Sequence, residues 1–173
     1  LSYKDSLKVL KKTRALLEGH FVLSSGLHTN KYIQCAKLLS FPNKALKICN
    51  SLSKKIIKAF PVVDLILSPA IGGIIIGYEI GKQLNIETIF SERVGGKFIL
   101  RRGFSIKKRA KVLIMEDVIT TGKSSLECVK LVKKAKGKLL GFACIIDRSD
   151  KKNLLIKNNK IISQVKISIP VYK

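Results

Sequence analysis

Tryptophan is absent from this chain, methionine occurs once, and acidic residues are scarce: 11, against 34 lysines and arginines. No apolar run approaches the roughly 20 residues that a membrane helix requires, so no membrane association is expected. The N-terminus opens on Ser2, Lys4, Asp5 and Lys8, without the basic patch, apolar stretch and small-residue cleavage site of a secretory signal. Leu1 stands where an initiating methionine would, which leaves room for residues in front of it. Cys35, Cys49, Cys128 and Cys144 lack metal-ligand spacing and sit among apolar neighbours. Buried, reduced thiols and a cytoplasmic location are therefore expected. Neither Gly-x-x-x-x-Gly-Lys-Ser/Thr nor Gly-x-Gly-x-x-Gly is present, which removes two common nucleotide-binding signatures.

What the chain does have is 173 residues that are 46% hydrophobic, enough for one domain (residues 1–173) with a proper core. Its net charge of +23 fits either a footprint for a polyanion or a surface that is simply lysine-rich. Lysines occur in every segment, for example Lys11, Lys54, Lys107, Lys133 and Lys157, and aromatic residues do not interleave with them. A stacking platform for single strands needs that interleaving, so nucleic-acid binding is not expected as the main function. The field would still speed capture of an anionic substrate, less so in salt.

Helix and strand patterns alternate with short breaks, which predicts an α/β domain. Asp5 to Leu17 reads as an amphipathic helix ended by Glu18-Gly19. A second runs from an Asn43 N-cap to Pro61. Asp64–Leu67, Ile86–Phe90, Val112–Met115 and Leu140–Ile146 read as strands buried on both faces, with Phe98–Leu100 as a short addition. Helices follow Gly73 and Gly122, the latter reaching about Lys136 with Gly137 as its C-cap. Asn158-Asn159 reads as a turn and Val165–Ile169 as an edge strand. Such repeats imply a mainly parallel, doubly wound sheet with ligands beyond the carboxyl ends of its strands.

One stretch carries chemistry. Val112-Leu-Ile-Met-Glu-Asp-Val-Ile-Thr-Thr-Gly-Lys-Ser-Ser is a core strand that ends in two adjacent acids and then opens a helix. Glu116 and Asp117 repel one another, and the vicinal hydroxyls of a ribose would give each a hydrogen bond. Thr120, Thr121, Gly122, Lys123 and Ser124 combine free backbone N–H groups, the positive end of a helix dipole, hydroxyl donors and a cation, which makes an anion site. A sugar site beside a phosphate site describes a 5-phosphoribosyl group.

This segment resembles the phosphoribosyl diphosphate signature of the type I phosphoribosyltransferases. More of the chain, about Leu17 to Ser149, resembles the orotate-using branch of that family. The similar parts are Gly19-His-Phe-Val-Leu-Ser-Ser-Gly-Leu-His-Thr-Asn-Lys-Tyr, Ser68-Pro-Ala-Ile-Gly-Gly-Ile, the Glu92–Phe104 region and Asp147-Arg148. The resemblance implies the type I phosphoribosyltransferase fold with a small N-terminal hood, to which residues 17–40 and 150–173 contribute together with the sheet edge. It implies Mg²⁺-dependent transfer of phosphoribosyl from phosphoribosyl diphosphate to orotate in UMP synthesis, with Glu116 and Asp117 as catalytic residues. Glu116, Asp117, Val118, Ile119, Thr120, Thr121, Gly122, Lys123 and Ser124 would bind the donor, and Thr120 and Arg148 the orotate. The metal would be held by substrate oxygens and water rather than by a protein cage. A homodimer with shared active sites is also implied.

The chain departs from the best-studied branch at two lysine positions, occupied here by Ser24 and Gly72, and its mobile loop lacks Lys-x-x-Lys-x-His. Gly72, Arg93, Lys97, Arg101 and Arg102 are the candidates for the diphosphate or the lid. Tyr32 serves either as a stacking surface for the base or as a core tyrosine. His28 contacts ligand or is structural, and His20 satisfies a local turn. The chain stops at Lys173 without the cysteine-containing tail common in that branch, so truncation is open. Two other readings stand beside this one: a purine-base transferase on the same scaffold, or a nucleic-acid-binding regulator that senses phosphoribosyl diphosphate.

Overall fold

The computed structural model describes residues 1–150 and 159–173. Its elements run α1 (Tyr3–Lys12), β1 (Leu16–Val22), β2 (His28–Ile33), α2 (Cys35–Leu39), α3 (Pro42–Ala59), β3 (Leu65–Pro69), α4 (Gly72–Leu84), β4 (Glu87–Val94), β5 (Lys97–Leu100), β6 (Lys111–Ile119), α5 (Lys123–Lys134), β7 (Lys138–Asp147), β8 (Ile161–Lys166) and β9 (Val171–Tyr172). Six strands form the main sheet in the order β5-β4-β3-β6-β7-β8. All pair in parallel except the β4–β5 hairpin. A separate three-stranded antiparallel sheet, β1-β2-β9, forms the hood.

Alternation along the central strands explains the two layers of cover. Ile66, Leu113, Met115, Ala143 and Ile145 face α3 and α4, whose Ile48, Leu52, Ile76 and Ile80 complete that core. The intervening Leu67, Val112, Ile114, Phe142 and Cys144 face α5 through Cys128, Val129 and Val132. Side chains on opposite faces of a strand need cover on both sides, and each large one buried contributes about 1.5–3 kcal/mol. All four cysteines are buried free thiols, as their apolar surroundings predict. Among the described residues no helix is long and apolar enough to cross a membrane.

Several boundaries differ from those read off the sequence. The first helix stops at Lys12 instead of continuing to Leu17, because Arg14 takes a left-handed φ of 59° and the Arg14 and Ala15 N–H groups turn back to the Lys11 and Leu10 carbonyls, both at 2.9 Å. Leu16 and Leu17 then begin β1, and Gly19 lies in its bulge. Pro42 occupies the first turn of α3, where its missing N–H costs nothing, so Asn43 is inside that helix rather than capping it. The left-handed residue after α5 is Lys136, φ 57°, and not Gly137. The last strand of the main sheet is Ile161–Lys166 rather than Val165–Ile169. The turn expected at Asn158-Asn159 lies partly outside the described residues, since Asn158 is not among them.

The strand order reverses between β3 and β6, and ligands bind at such a switch point. Access to it depends on α4 lying close to the sheet. Gly73, Gly77 and Gly81 recur on the face of α4 that meets β3, β4 and β6. At Gly81 a Cβ would collide with the Thr88 hydroxyl and sit 2.9 Å from the Ile86 carbonyl oxygen. Gly81→Ala should therefore destabilise the protein by about 1–3 kcal/mol through overpacking, although alanine is the better helix former by about 1 kcal/mol. Thermal melting checks this: overpacking predicts a drop of roughly 2–4 °C per kcal/mol, whereas helix propensity alone predicts a rise.

Candidate active site

β6 does not end at Met115. It continues in register beside β7 through Ile119, so Glu116 and Asp117 lie within the strand and their side chains leave on opposite faces. Glu116 turns toward α5, where the Ser125 hydroxyl donates to its Oε1 at 2.7 Å. Asp117 turns toward the first residue of α4: a Cβ on Gly72 would lie 2.8 Å from Asp117 Oδ1 and 2.9 Å from Oδ2. The strand thus separates two acids that adjacency in sequence would set against each other.

Both acids hold their protons more tightly than usual. Burial pushes Glu116 from 4.5 up to about 7; the Ser125 hydrogen bond opposes this and the charge of Asp117 adds to it. Asp117 is also raised by burial, against the pull of the Val118 N–H, which donates to its Oδ1 at 2.8 Å. The N-terminus of α4 beside Asp117 contributes a favourable dipole. The Cys35 thiol donates to the Asp117 carbonyl at 3.9 Å, tying α2 to the same strand.

After Ile119 the chain turns into α5 through Gly122, whose φ of 75° is left-handed and suits glycine. Glu116 and residues 118–124 line one cavity of about 60 Å³. Eight of the nine residues expected to bind the donor are therefore brought together, and the ninth, Asp117, points to the α4 side. The first turn of α5 begins at this cavity, with the Lys123 N–H donating to the Thr121 hydroxyl oxygen at 3.4 Å and the positive end of the helix directed at the loop.

Arg148 leaves the end of β7 next to Thr120: Ile119 pairs with Asp147, and the Arg148 N–H donates to the Ile119 carbonyl at 2.8 Å. Its Nε is buried with no hydrogen-bond partner among the described residues, and partial burial lowers its pKa. A buried guanidinium N–H left unbonded is costly, so this donor is prepared for an acceptor from outside. Asp147 is structural. It accepts from the Ser149 N–H at 2.8 Å and from the Ser149 hydroxyl, and it pairs with Lys166 at 3.5 Å. It thereby fixes the turn that carries Arg148.

The basic residues of the expected mobile region form an ordered hairpin. β4 and β5 are joined by Gly95-Gly96, with φ of 56° and 77°, the geometry of a two-residue type I′ turn. Arg93 donates to both Glu127 carboxylate oxygens at 3.1 and 3.2 Å and to the Gly96 carbonyl at 2.7 Å, and it stacks over Phe98. Arg102 makes a two-point pair with Glu92 at 2.9 and 3.0 Å, and Arg101 lies 3.9 Å from the same acid. Lys97 is exposed beside the hairpin tip. Gly72 has no side chain to offer a diphosphate, and its contact with Asp117 accounts for a glycine there.

In the hood, Tyr32 is 42% exposed, which removes the core reading. His20 lies in β1 rather than in a turn; it hydrogen-bonds His28, and the two rings stack at 4.8 Å. The supporting residues Ser125, Glu127, Glu92 and Ser149 were not singled out from sequence. The period-two alternation of a strand was the one available signal, since it assigns Glu116 to the α5 side.

Glu116 makes stability depend on pH. The folded protein holds this proton up to about pH 7, while an ordinary glutamate releases it near 4.5. The stabilisation is complete below pH 4.5 and is lost as pH rises through 7. Ligand-free Glu116→Gln should therefore be more stable than the parent at pH 8 by about 1–3 kcal/mol, with no advantage at pH 4. Chemical denaturation at the two pH values reads this out.

Comparison with known proteins agrees with this geometry. The Phosphoribosyl transferase domain family matches residues 42–171. An orotate phosphoribosyltransferase of Chlorobium phaeobacteroides (strain BS1) is 46% identical over 146 residues, covering 84% of this chain and 75% of that protein. Among solved structures, orotate phosphoribosyltransferase from Aeropyrum pernix superposes with a TM-score of 0.80 at 23% identity over 92% of both chains. UMP synthase from Leishmania donovani superposes with a TM-score of 0.78 at 20% identity, over 96% of this chain and 37% of that one. The domain match and the shared identity show that the chain belongs to the type I phosphoribosyltransferase family, in its orotate phosphoribosyltransferase branch.

Proposed function

We propose that the chain transfers the 5-phosphoribosyl group from phosphoribosyl diphosphate to orotate, giving orotidine 5′-phosphate and diphosphate. The observation that carries the choice of acceptor is the buried, unbonded Arg148 Nε beside Thr120. A planar guanidinium pairs with a carboxylate in two-point fashion; orotate carries a carboxylate, and the purine bases adenine, hypoxanthine and guanine do not.

In this reading the α5 N-terminus with Thr120, Thr121, Lys123 and Ser124 holds the 5-phosphate. Glu116 and Asp117, diverging from one strand, accept from the ribose hydroxyls, and α4 directs its N-terminus at the diphosphate. Orotate N1 forms a bond to C1′ as the bond from C1′ to the diphosphate oxygen breaks, its electron pair leaving with the diphosphate; the N1 proton passes to that diphosphate or to solvent, and C1′ inverts. The developing oxocarbenium charge lies near two carboxylates. The chain's own residues contribute mainly by positioning the reactants, by offering fixed dipoles to the leaving group and by excluding water. The loop offers hydroxyl and carboxylate oxygens, which suit Mg²⁺. Bound to substrate oxygens and water, that ion would neutralise the diphosphate.

Orotate consumption with phosphoribosyl diphosphate and Mg²⁺, run beside hypoxanthine and guanine, tests the assignment. Turnover of orotate alone is expected. Turnover of a purine instead, or of no base together with tight, salt-sensitive nucleic-acid binding, overturns it. Asp117→Asn should raise Kd for the donor, whereas Arg148→Ala should raise KM for orotate about tenfold or more with little effect on the donor. Equal effects of both changes on both substrates would sink the roles.

A homodimer is supported by an exposed apolar strip on α4: Ile71, Ile75 and Tyr78 are 87%, 57% and 66% exposed. These residues follow one helix face beside the diphosphate end of the site. Ile75→Glu should shift the protein to monomers in sedimentation velocity and reduce turnover; an unchanged dimer would exclude this face.

A further inference from the structure

Ser125 lies just beyond the donor loop, on the face of α5 that packs against the sheet with Cys128, Val129 and Val132. Its residue exposure is 0%. A hydroxyl in such surroundings is unfavourable unless it is hydrogen-bonded. Its bond goes to the sugar-side carboxylate, with Ser125 Oγ donating to Glu116 Oε1 at 2.7 Å. The other titratable groups around Glu116 are Asp117 on the same strand, Cys128 on α5 and Cys144, its register partner on β7. Burial pushes Cys128 up to about 12 and Cys144 well above its ordinary value, so neither thiol supplies charge. Ser125 is thus the group that restrains Glu116.

We propose that Ser125 is a positioning residue for the transfer reaction. By occupying Oε1, its hydroxyl sets the rotation of the Glu116 carboxylate and leaves Oε2 to a ribose hydroxyl of the donor in the cavity lined by residues 118–124. This rests on the assignment of Glu116 to the ribose. The same hydrogen bond favours the ionised carboxylate, which is the stronger acceptor from a hydroxyl. Glu116 is among the residues that line the donor cavity, whereas Ser125 is not and lies on the packed side of α5, so Ser125 acts through Glu116.

Calorimetric titration with phosphoribosyl diphosphate and Mg²⁺ tests this on the parent, Ser125→Ala, Glu116→Ala and the double variant. Ser125→Ala should raise Kd about tenfold, the size of one hydrogen bond to a charged group. It should also move the acid limb of the kcat/KM pH profile to higher pH, because Glu116 loses the bond that lowers its pKa. In the Glu116→Ala background the same change should alter Kd less than twofold, since no carboxylate remains to be positioned. Ser125→Thr keeps the hydroxyl and should stay within about threefold of the parent; this variant decides if alanine prevents folding. Equal factors in both backgrounds, an unmoved pH limb, or a threonine variant as weak as alanine overturns the proposal. A parent protein that binds no donor would overturn the ribose assignment itself, an outcome separable from the others.

Discussion

The rest of the site depends on two carboxylates held at the buried carboxyl end of β6 with no cation paired to either among the described residues. Removing such groups from water is unfavourable, which is why Glu116 rises to about 7 and Asp117 rises with it. The strand manages the problem geometrically. Its alternation sends one acid to a serine hydroxyl on α5 and the other to a backbone N–H and the start of α4. Each acid is partly satisfied by a neutral donor, so each keeps acceptor capacity for a ligand that brings its own hydroxyls. Left without such a ligand, the arrangement is unfavourable.

Around this pair the fold assembles donors for anions. Helices α4 and α5 both begin at the carboxyl ends of strands on either side of the β3/β6 reversal, so two positive helix ends flank the acids. The glycine face of α4 lets that helix settle on the sheet, and Gly72 clears the space that Asp117 occupies. A side chain at this position would meet the Asp117 carboxylate at 2.8–2.9 Å unless that carboxylate turned away.

The donor loop was legible in the sequence because its parts are contiguous: an apolar strand, two acids, then Thr120-Thr121-Gly122 at a helix start. The parallel sheet was legible because its strands are apolar on both faces. Boundaries set by side-chain detail were not. α1 ends where Arg14, a residue type that does not announce a left-handed exit, takes φ 59°, and the left-handed exit from α5 falls on Lys136, where residue type favours Gly137. The lid residues were ambiguous because Arg93, Lys97, Arg101 and Arg102 are alike as cations. Glu127, 34 positions beyond Arg93, and Glu92 sort three of them into ion pairs, and no local pattern announces partners at that range. Ser125 reads from its spacing as an ordinary core-facing helix position, and Glu116 alone gives it a role.

The hood joins distant parts of the chain. β1 and β2 form a local hairpin, but the third strand, β9, reaches β2 through Val171 opposite Thr29 and Tyr172 opposite His28. Those contacts close a loop of more than 140 residues with two residue pairs, whereas the central sheet is stitched by neighbouring strands over many. Closing so long a loop costs entropy that only a few hydrogen bonds return, so this seam forms after the sheet. The third strand is accordingly the most weakly held part of the hood. It can fray while the β1–β2 hairpin and the central sheet stay paired, and amide exchange would record the β2–β9 seam as the fastest-opening pairing of the two sheets.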